Sequence, residues 1–101
     1  MKKVNILVVC IQPELLKILL RLINGNSDWQ ALGAASEEQA REIFAAQPCQ
    51  LVLLGSGTDT STENRLKPEF SAIYPQVKFI QHYGGGSGLL YAEIYEVLAT
   101  N

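Results

Sequence analysis

Two short runs limit what this chain can become. Val4–Cys10, VNILVVC, and the stretch CQLVLLG at 49–55 are almost wholly apolar and show no alternation of polar and apolar residues. A strand with one face in water alternates; one that does not must be covered on both faces, as inner strands of a parallel sheet are. The segments between carry the helices such a sheet needs. PELLKILLRLINGN sets Leu15, Leu16, Ile18, Leu19, Leu22 and Ile23 on one wide stripe, with Pro13 at the first helical position, Glu14 in the first turn and Gly25 past the end. Ser36-Glu37-Glu38-Gln39 reads as a capping box, in which the Ser hydroxyl and the Gln side chain satisfy free backbone N–H groups. Ala40, Ile43 and Phe44 then form a buried face, and the helix ends near Pro48.

Weaker signals fill the remainder. WQALGAAS, only partly apolar, predicts an outer strand, and GSGTDTSTEN a flexible loop. A third helix falls within ENRLKPEFSAIYP with Leu66, Phe70 and Ile73 inward, Pro68 shifting its start or kinking it. VKFIQHY alternates, with Val77, Phe79, Gln81 and Tyr83 on one side and Lys78, Ile80 and His82 on the other, and its polar content suits an edge. The last helix starts about Ser87 and buries Leu90, Ile94, Val97 and Leu98. Strands alternating with helices, joined by right-handed crossovers, predict one α/β domain over residues 1–101: a four-stranded parallel sheet of order 2-1-3-4 with helices on both faces.

Composition narrows the function. With 48% hydrophobic and 18% charged residues the chain reads as a folded globule, and 101 residues suffice for one core. A formal charge of −2 with acids and bases interspersed offers no basic stripe for a nucleic acid. MKKVNILVVCIQ has too short an apolar run for a membrane span or signal peptide, which predicts a cytoplasmic protein with no membrane partner. Cys10, Cys49 and the single histidine match no metal-ligand spacing, so neither metal nor cofactor is expected.

Order 2-1-3-4 makes strands 1 and 3 neighbours and reverses the strand order at their carboxyl ends, where open α/β sheets bind ligands. Cys10, Ile11, Gln12, Gly55, Ser56 and Gly57 fall there, flanked by His82 and Tyr83. ILVVCIQPELLKILLRLI, ALGAASEEQAREIFAAQPCQLVLLG and, loosely, the last helix resemble the receiver domain of two-component response regulators. The resemblance implies a flavodoxin-like three-layer sandwich. It also implies a site with an acidic pair after strand 1 for Mg²⁺, an aspartate ending strand 3 as phosphoacceptor, a Ser or Thr ending strand 4, and a Lys on strand 5. In that register Cys10 and Ile11 replace the acidic pair, Gly55 the phosphoacceptor, and Tyr83 the Ser or Thr. The Lys has no counterpart, because GGGSG at 84–88 leads from strand 4 straight into the last helix, so the family's helix 4 and strand 5 are missing. A hard cation takes oxygen ligands, which a thiol beside an isoleucine does not supply. Asp59, in the loop four residues beyond Gly55, is read as an acid able to swing inward.

KKVNILVVC and LVLLG are also similar to the B components of lactose/cellobiose-type sugar phosphotransferase systems, which carry a phosphorylated cysteine after strand 1. That resemblance makes Cys10 a phosphoacceptor, yet Pro13 removes an N–H donor and Glu14 repels phosphate where such a loop needs donors. The bland alternative is a small apolar residue at a strand end. His82 is read either as a general base or phosphate ligand, or as a solvated edge residue. Tyr91 and Tyr95, four apart, either cap the core or form a contact surface with Tyr83. Gly85, Gly86 and Ser87 precede a helix N-terminus and, with Gln12, Ser56, Gly57 and His82, are candidate anion or partner contacts. The expectation is a degenerate, shortened receiver-like domain without catalytic activity. It acts in signalling through a protein partner or a homodimer on the side of strand 4 and the last helix.

Overall fold

Strands and helices alternate strictly along the chain: β1 (Val4–Val9), α1 (Pro13–Asn24), β2 (Trp29–Ala34), α2 (Glu37–Ala46), β3 (Leu51–Leu54), α3 (Thr60–Ile73), β4 (Lys78–Gln81) and α4 (Ser87–Ala99). The computed structural model describes residues 4–55, 58, 60–81 and 87–99. All pairings are parallel and the order is β2-β1-β3-β4, as the hydrophobic pattern predicts. Ile6 stands beside Leu51, and Leu51 beside Lys78, so the two apolar runs form the centre of the sheet.

Alternation along the central strands divides their side chains between two layers. Leu7, Val9, Val52 and Leu54 meet Ala40 and Phe44 of α2 and Leu66 and Phe70 of α3. Ile6, Val8, Leu51 and Leu53 meet Leu19 and Ile23 of α1 and Leu90 and Ile94 of α4. In the first layer the Phe44 and Phe70 rings stack with centroids 4.2 Å apart, and Phe79 lies 6.0 Å beyond Phe70. In the second, Trp29 meets the Tyr91 ring edge-on at 5.6 Å and the Tyr95 ring at 4.9 Å. The Tyr91 hydroxyl donates to the Leu22 carbonyl, and Asn26 Nδ2 donates to the Tyr95 hydroxyl at 2.8 Å. This pair of tyrosines therefore caps the core and ties α4 to the end of α1.

The ends of α1 and α2 follow their sequence signals with one shift. Pro13 opens α1 where no N–H partner is needed, and Gln12 precedes it in extended conformation. At α2 the Ser36 hydroxyl accepts from the Gln39 N–H, but Gln39 Oε1 accepts from Ala35 rather than Ser36, so the reciprocal bond lands one residue early. Gly25 has an ordinary φ of −66°, so its use is not a left-handed turn. At Gly33 a Cβ would lie 2.8 Å from Leu20 Cδ1, and α1 thus rests on the bare backbone of β2.

The third helix departs most from expectation. It begins at Thr60, inside the stretch read as loop, and holds Pro68 in its interior. Thr62, Leu66 and Phe70, four apart, form its buried face, and Tyr74 continues it. Ile73, expected inward, is 46% exposed because it falls off that line. Ile18 of α1 is likewise exposed, on the far side from Leu19 and Ile23. Arg65 grips Glu37 through Nε and Nη2, and Arg41 binds Glu69 at 2.7 Å, pinning α3 to α2. Such surface pairs orient more than they stabilise.

Cys49 enters β3 fully buried, its thiol donating to the Gln47 carbonyl at 3.4 Å. Burial pushes this thiol up from 9.0 to about 11. Below pH 9 it is neutral in both folded and unfolded chains and costs nothing. As pH rises from 9 toward 11 only the unfolded chain ionises, so stability is lost across that window. We expect the parent to lose about 2 kcal/mol more than Cys49→Ala over this range, measured by urea unfolding at each pH.

Candidate functional site at the carboxyl ends of β1 and β3

The strand order reverses between β1 and β3, so the residues just past their carboxyl ends are brought side by side. The backbone there is closed on itself. The Cys10 N–H donates to the Ala34 carbonyl at 3.0 Å, and the Gly55 N–H to the Val9 carbonyl at 2.8 Å, extending both ladders one residue. The Thr58 N–H and hydroxyl both donate to the Gly55 carbonyl. Gln12 accepts the first bond of α1 from Leu16 at 2.9 Å and a second from the Cys10 thiol at 3.5 Å.

Cys10 and Gly55, chosen from sequence, are thus brought together. A Cβ built on Gly55 would lie 3.3 Å from Cys10 Cβ, 3.5 Å from its sulfur and 3.4 Å from Leu19 Cδ1. Cys10 has no exposed surface, whereas its neighbour Ile11 is 53% exposed and Gln12 is also in solvent. The pair therefore presents a sealed, apolar floor with a greasy residue at its rim. On the far side Gln81, ending β4, donates weakly through Nε2 to Glu63 Oε1 in the first turn of α3. Among the described residues no three His, Cys, Asp or Glu side chains gather in a way that could hold a metal ion.

Ser56, Gly57, Asp59, His82, Tyr83, Gly85 and Gly86 lie outside the described residues, and Ser87 is described only as the first residue of α4. Sequence reading missed two participants. Thr58 sat in a stretch read as featureless loop, yet a Thr three residues past a strand end is placed to bond back to it. Glu63 is an acid in the first turn of a helix, a signal obscured by starting that helix too late.

Among the described residues no helix is long and apolar enough to cross a membrane. No family model and no curated protein matches the chain. Solved structures do. CheY4, a chemotaxis protein of Vibrio cholerae, superposes with a TM-score of 0.66 at 7% identity, over 94% of this chain and 98% of that one. A chain of the complex between the P1 domain of CheA3 and CheY6 from R. sphaeroides gives 0.67 at 15%, over 99% and 100%. The N-terminal domain of a response regulator receiver protein from Methanoculleus marisnigri JR1 gives 0.56 at 23%, over 96% and 98%. At these identities the likeness is one of fold: a CheY-like, flavodoxin-like sandwich with four parallel strands.

Proposed function

We propose that this chain is a receiver-fold interaction module in signalling, without catalytic activity, that is not phosphorylated on aspartate and acts by docking another protein surface. The observation that carries the reading is the contact between Cys10 and Gly55 at the ends of β1 and β3. A receiver places carboxylates there; a buried thiol and a glycine offer neither a phosphoacceptor nor oxygen ligands for Mg²⁺. The complex of CheY6 with the P1 domain of CheA3 supports docking as a use of the fold. The open side of β4 and α4 is the surface we assign to it, and the two free thiols suit the reducing cytoplasm.

The phosphocysteine reading requires Cys10 to meet a phosphoryl donor. Its sulfur has no exposed surface, it donates to the Gln12 carbonyl, and Pro13 supplies no N–H donor beside it. We therefore expect incubation with acetyl phosphate and Mg²⁺ to leave the intact mass unchanged. Iodoacetamide at neutral pH should alkylate neither cysteine of the folded chain. A phosphoryl adduct on any residue, or rapid alkylation of Cys10, would overturn the proposal.

A further inference from the structure

Of the asparagines in the sequence only Asn24 is followed by glycine. Such a pair carries its own chemistry. The backbone nitrogen of Gly25 can attack the side-chain carbonyl carbon of Asn24, and a glycine has no side chain to hinder the approach. A bond forms between that nitrogen and Cγ, the Cγ–Nδ2 bond breaks, and Nδ2 leaves as ammonia with the proton that Gly25 gives up. Water then opens the five-membered imide at either carbonyl, leaving aspartate or isoaspartate. Only water is consumed, so local geometry decides whether the reaction runs.

The folded chain holds both reacting groups apart from this path. Asn24 closes α1, and the nitrogen that must attack is occupied, because the Gly25 N–H donates to the Arg21 carbonyl at 3.1 Å. The carboxamide is held as well, its Oδ1 accepting the Ala31 N–H of β2 at 2.8 Å. Reaction requires both bonds to break and the two atoms to come within about 3–3.5 Å. The element that keeps them made is α4. The Tyr91 hydroxyl donates to the carbonyl of Leu22, two residues before Asn24, and the Tyr95 hydroxyl accepts from Nδ2 of Asn26, two residues after it. Trp29, at the start of β2, packs against both tyrosine rings. The glycine belongs to the same seam. A Cβ on Gly25 would lie 3.2 Å from the Leu22 carbonyl oxygen and 3.6 Å from the Tyr91 hydroxyl, crowding the bond between them.

We propose that Asn24–Gly25 is a site of spontaneous deamidation gated by α4. While α4 is docked, residues 22–26 are fixed and the pair is inert. When α4 lifts, the last turn of α1 frays, the Gly25 N–H is released and Asn24 is converted. The change is one-way, and it works against redocking. A carboxylate at residue 24 stands at the negative end of α1. Isoaspartate adds a methylene to the main chain between Leu22 and Asn26, so Tyr91 and Tyr95 no longer meet both partners. The site thus records opening of the seam between α1 and α4, and it does not depend on the docking role assigned above.

Intact mass and peptide mapping of the full chain, kept in mildly alkaline buffer with and without urea, test this. The unfolded chain should exchange carboxamide for carboxyl at Asn24, with isoaspartate in excess, and the folded chain should do so at least about tenfold more slowly. Tyr91→Phe deletes one hydrogen bond across the seam and should speed the folded reaction about fivefold. If that variant does not fold, Tyr95→Phe, which frees Asn26, should act in the same direction. Phe79→Ala, in the opposite core layer, should leave the rate unchanged. The purified product should emit further to the red than the parent, because Trp29 loses part of its cover. A folded chain that reacts as fast as the unfolded one overturns the proposal. So do tyrosine variants that change nothing, a Phe79→Ala variant equally accelerated, earlier loss of ammonia from Asn26, or a product whose emission matches the parent's.

Discussion

Gly55→Asp, the change that puts an aspartate at the end of β3, is expected to destabilise the chain by about 3–5 kcal/mol and to yield no phosphorylation. The new Cβ must fit 3.3 Å from Cys10 Cβ and 3.4 Å from Leu19 Cδ1, and the carboxylate lands on apolar neighbours with no cation among these contacts. A buried ion without a partner shifts toward its neutral form, so the folded pKa of this aspartate lies above its unfolded value of about 3.9. The penalty is therefore full at neutral pH and fades as pH falls through the folded value, because below about pH 4 both states hold the proton. Urea unfolding of parent and variant at neutral and acid pH checks the sign: the gap between them should narrow on acidification. Gly55→Ala separates space from charge, and its cost should stay near 1 kcal/mol, since the closest contact needs only a few tenths of an ångström. The variant would still lack carboxylates at the end of β1, because Cys10 and Ile11 follow that strand and supply no oxygen ligand for Mg²⁺. A variant as stable as the parent, or one that accepts phosphate, would show that the site is more polar than its packing indicates.

Phe70→Ala is expected to cost a further class of energy, about 3–5 kcal/mol, through a cavity in the other core layer. Phe70 is fully buried, stacked flat on Phe44, and it is one of only three buried side chains by which α3 meets the sheet. Thr62 is small and Leu66 lies one turn earlier, so the neighbouring helix cannot collapse into the space without releasing the Arg65–Glu37 and Arg41–Glu69 contacts. A domain of this size has about 5–15 kcal/mol in total, so the loss is about a fifth of it or more. Chemical denaturation should show a lower midpoint with little change in slope. Phe44→Ala and the double variant should reveal a coupling of about 0.5–1.5 kcal/mol for the stacked pair. Phe79→Ala, at a half-covered site on the edge strand, should cost clearly less.

Much of this architecture was legible because the strongest signals were unbroken apolar runs. VNILVVC and LVLLG have one stable location, the middle of a sheet covered twice, and the weaker flanking strands then had only the edges left. The third helix was obscured for a physical reason: its inward row begins at Thr62, a polar residue that is 5% exposed, and Pro68 interrupts the pattern. Its proline forfeits one bond to the carbonyl four residues back, and packing of Leu66 and Phe70 outweighs that loss. The same error hid Glu63 and Thr58 at the site. The adjacency of Cys10 and Gly55 followed from strand order alone. What sequence could not disclose was the sealing of that floor, which depends on Leu19 and on where the Cys10 hydrogen points.

The bonds from Tyr91 to Leu22 and from Asn26 to Tyr95 each join residues 69 apart in the chain. The face built by α2 and α3 closes from consecutive segments, but the opposite face is roofed only in part by α1 until α4 returns to it. Because synthesis proceeds from the amino end, Ile6, Val8, Leu51 and Leu53 emerge long before their final cover. The nascent molecule thus passes through a stage in which part of one core layer is exposed, and its lone tryptophan stands at the seam that shuts last.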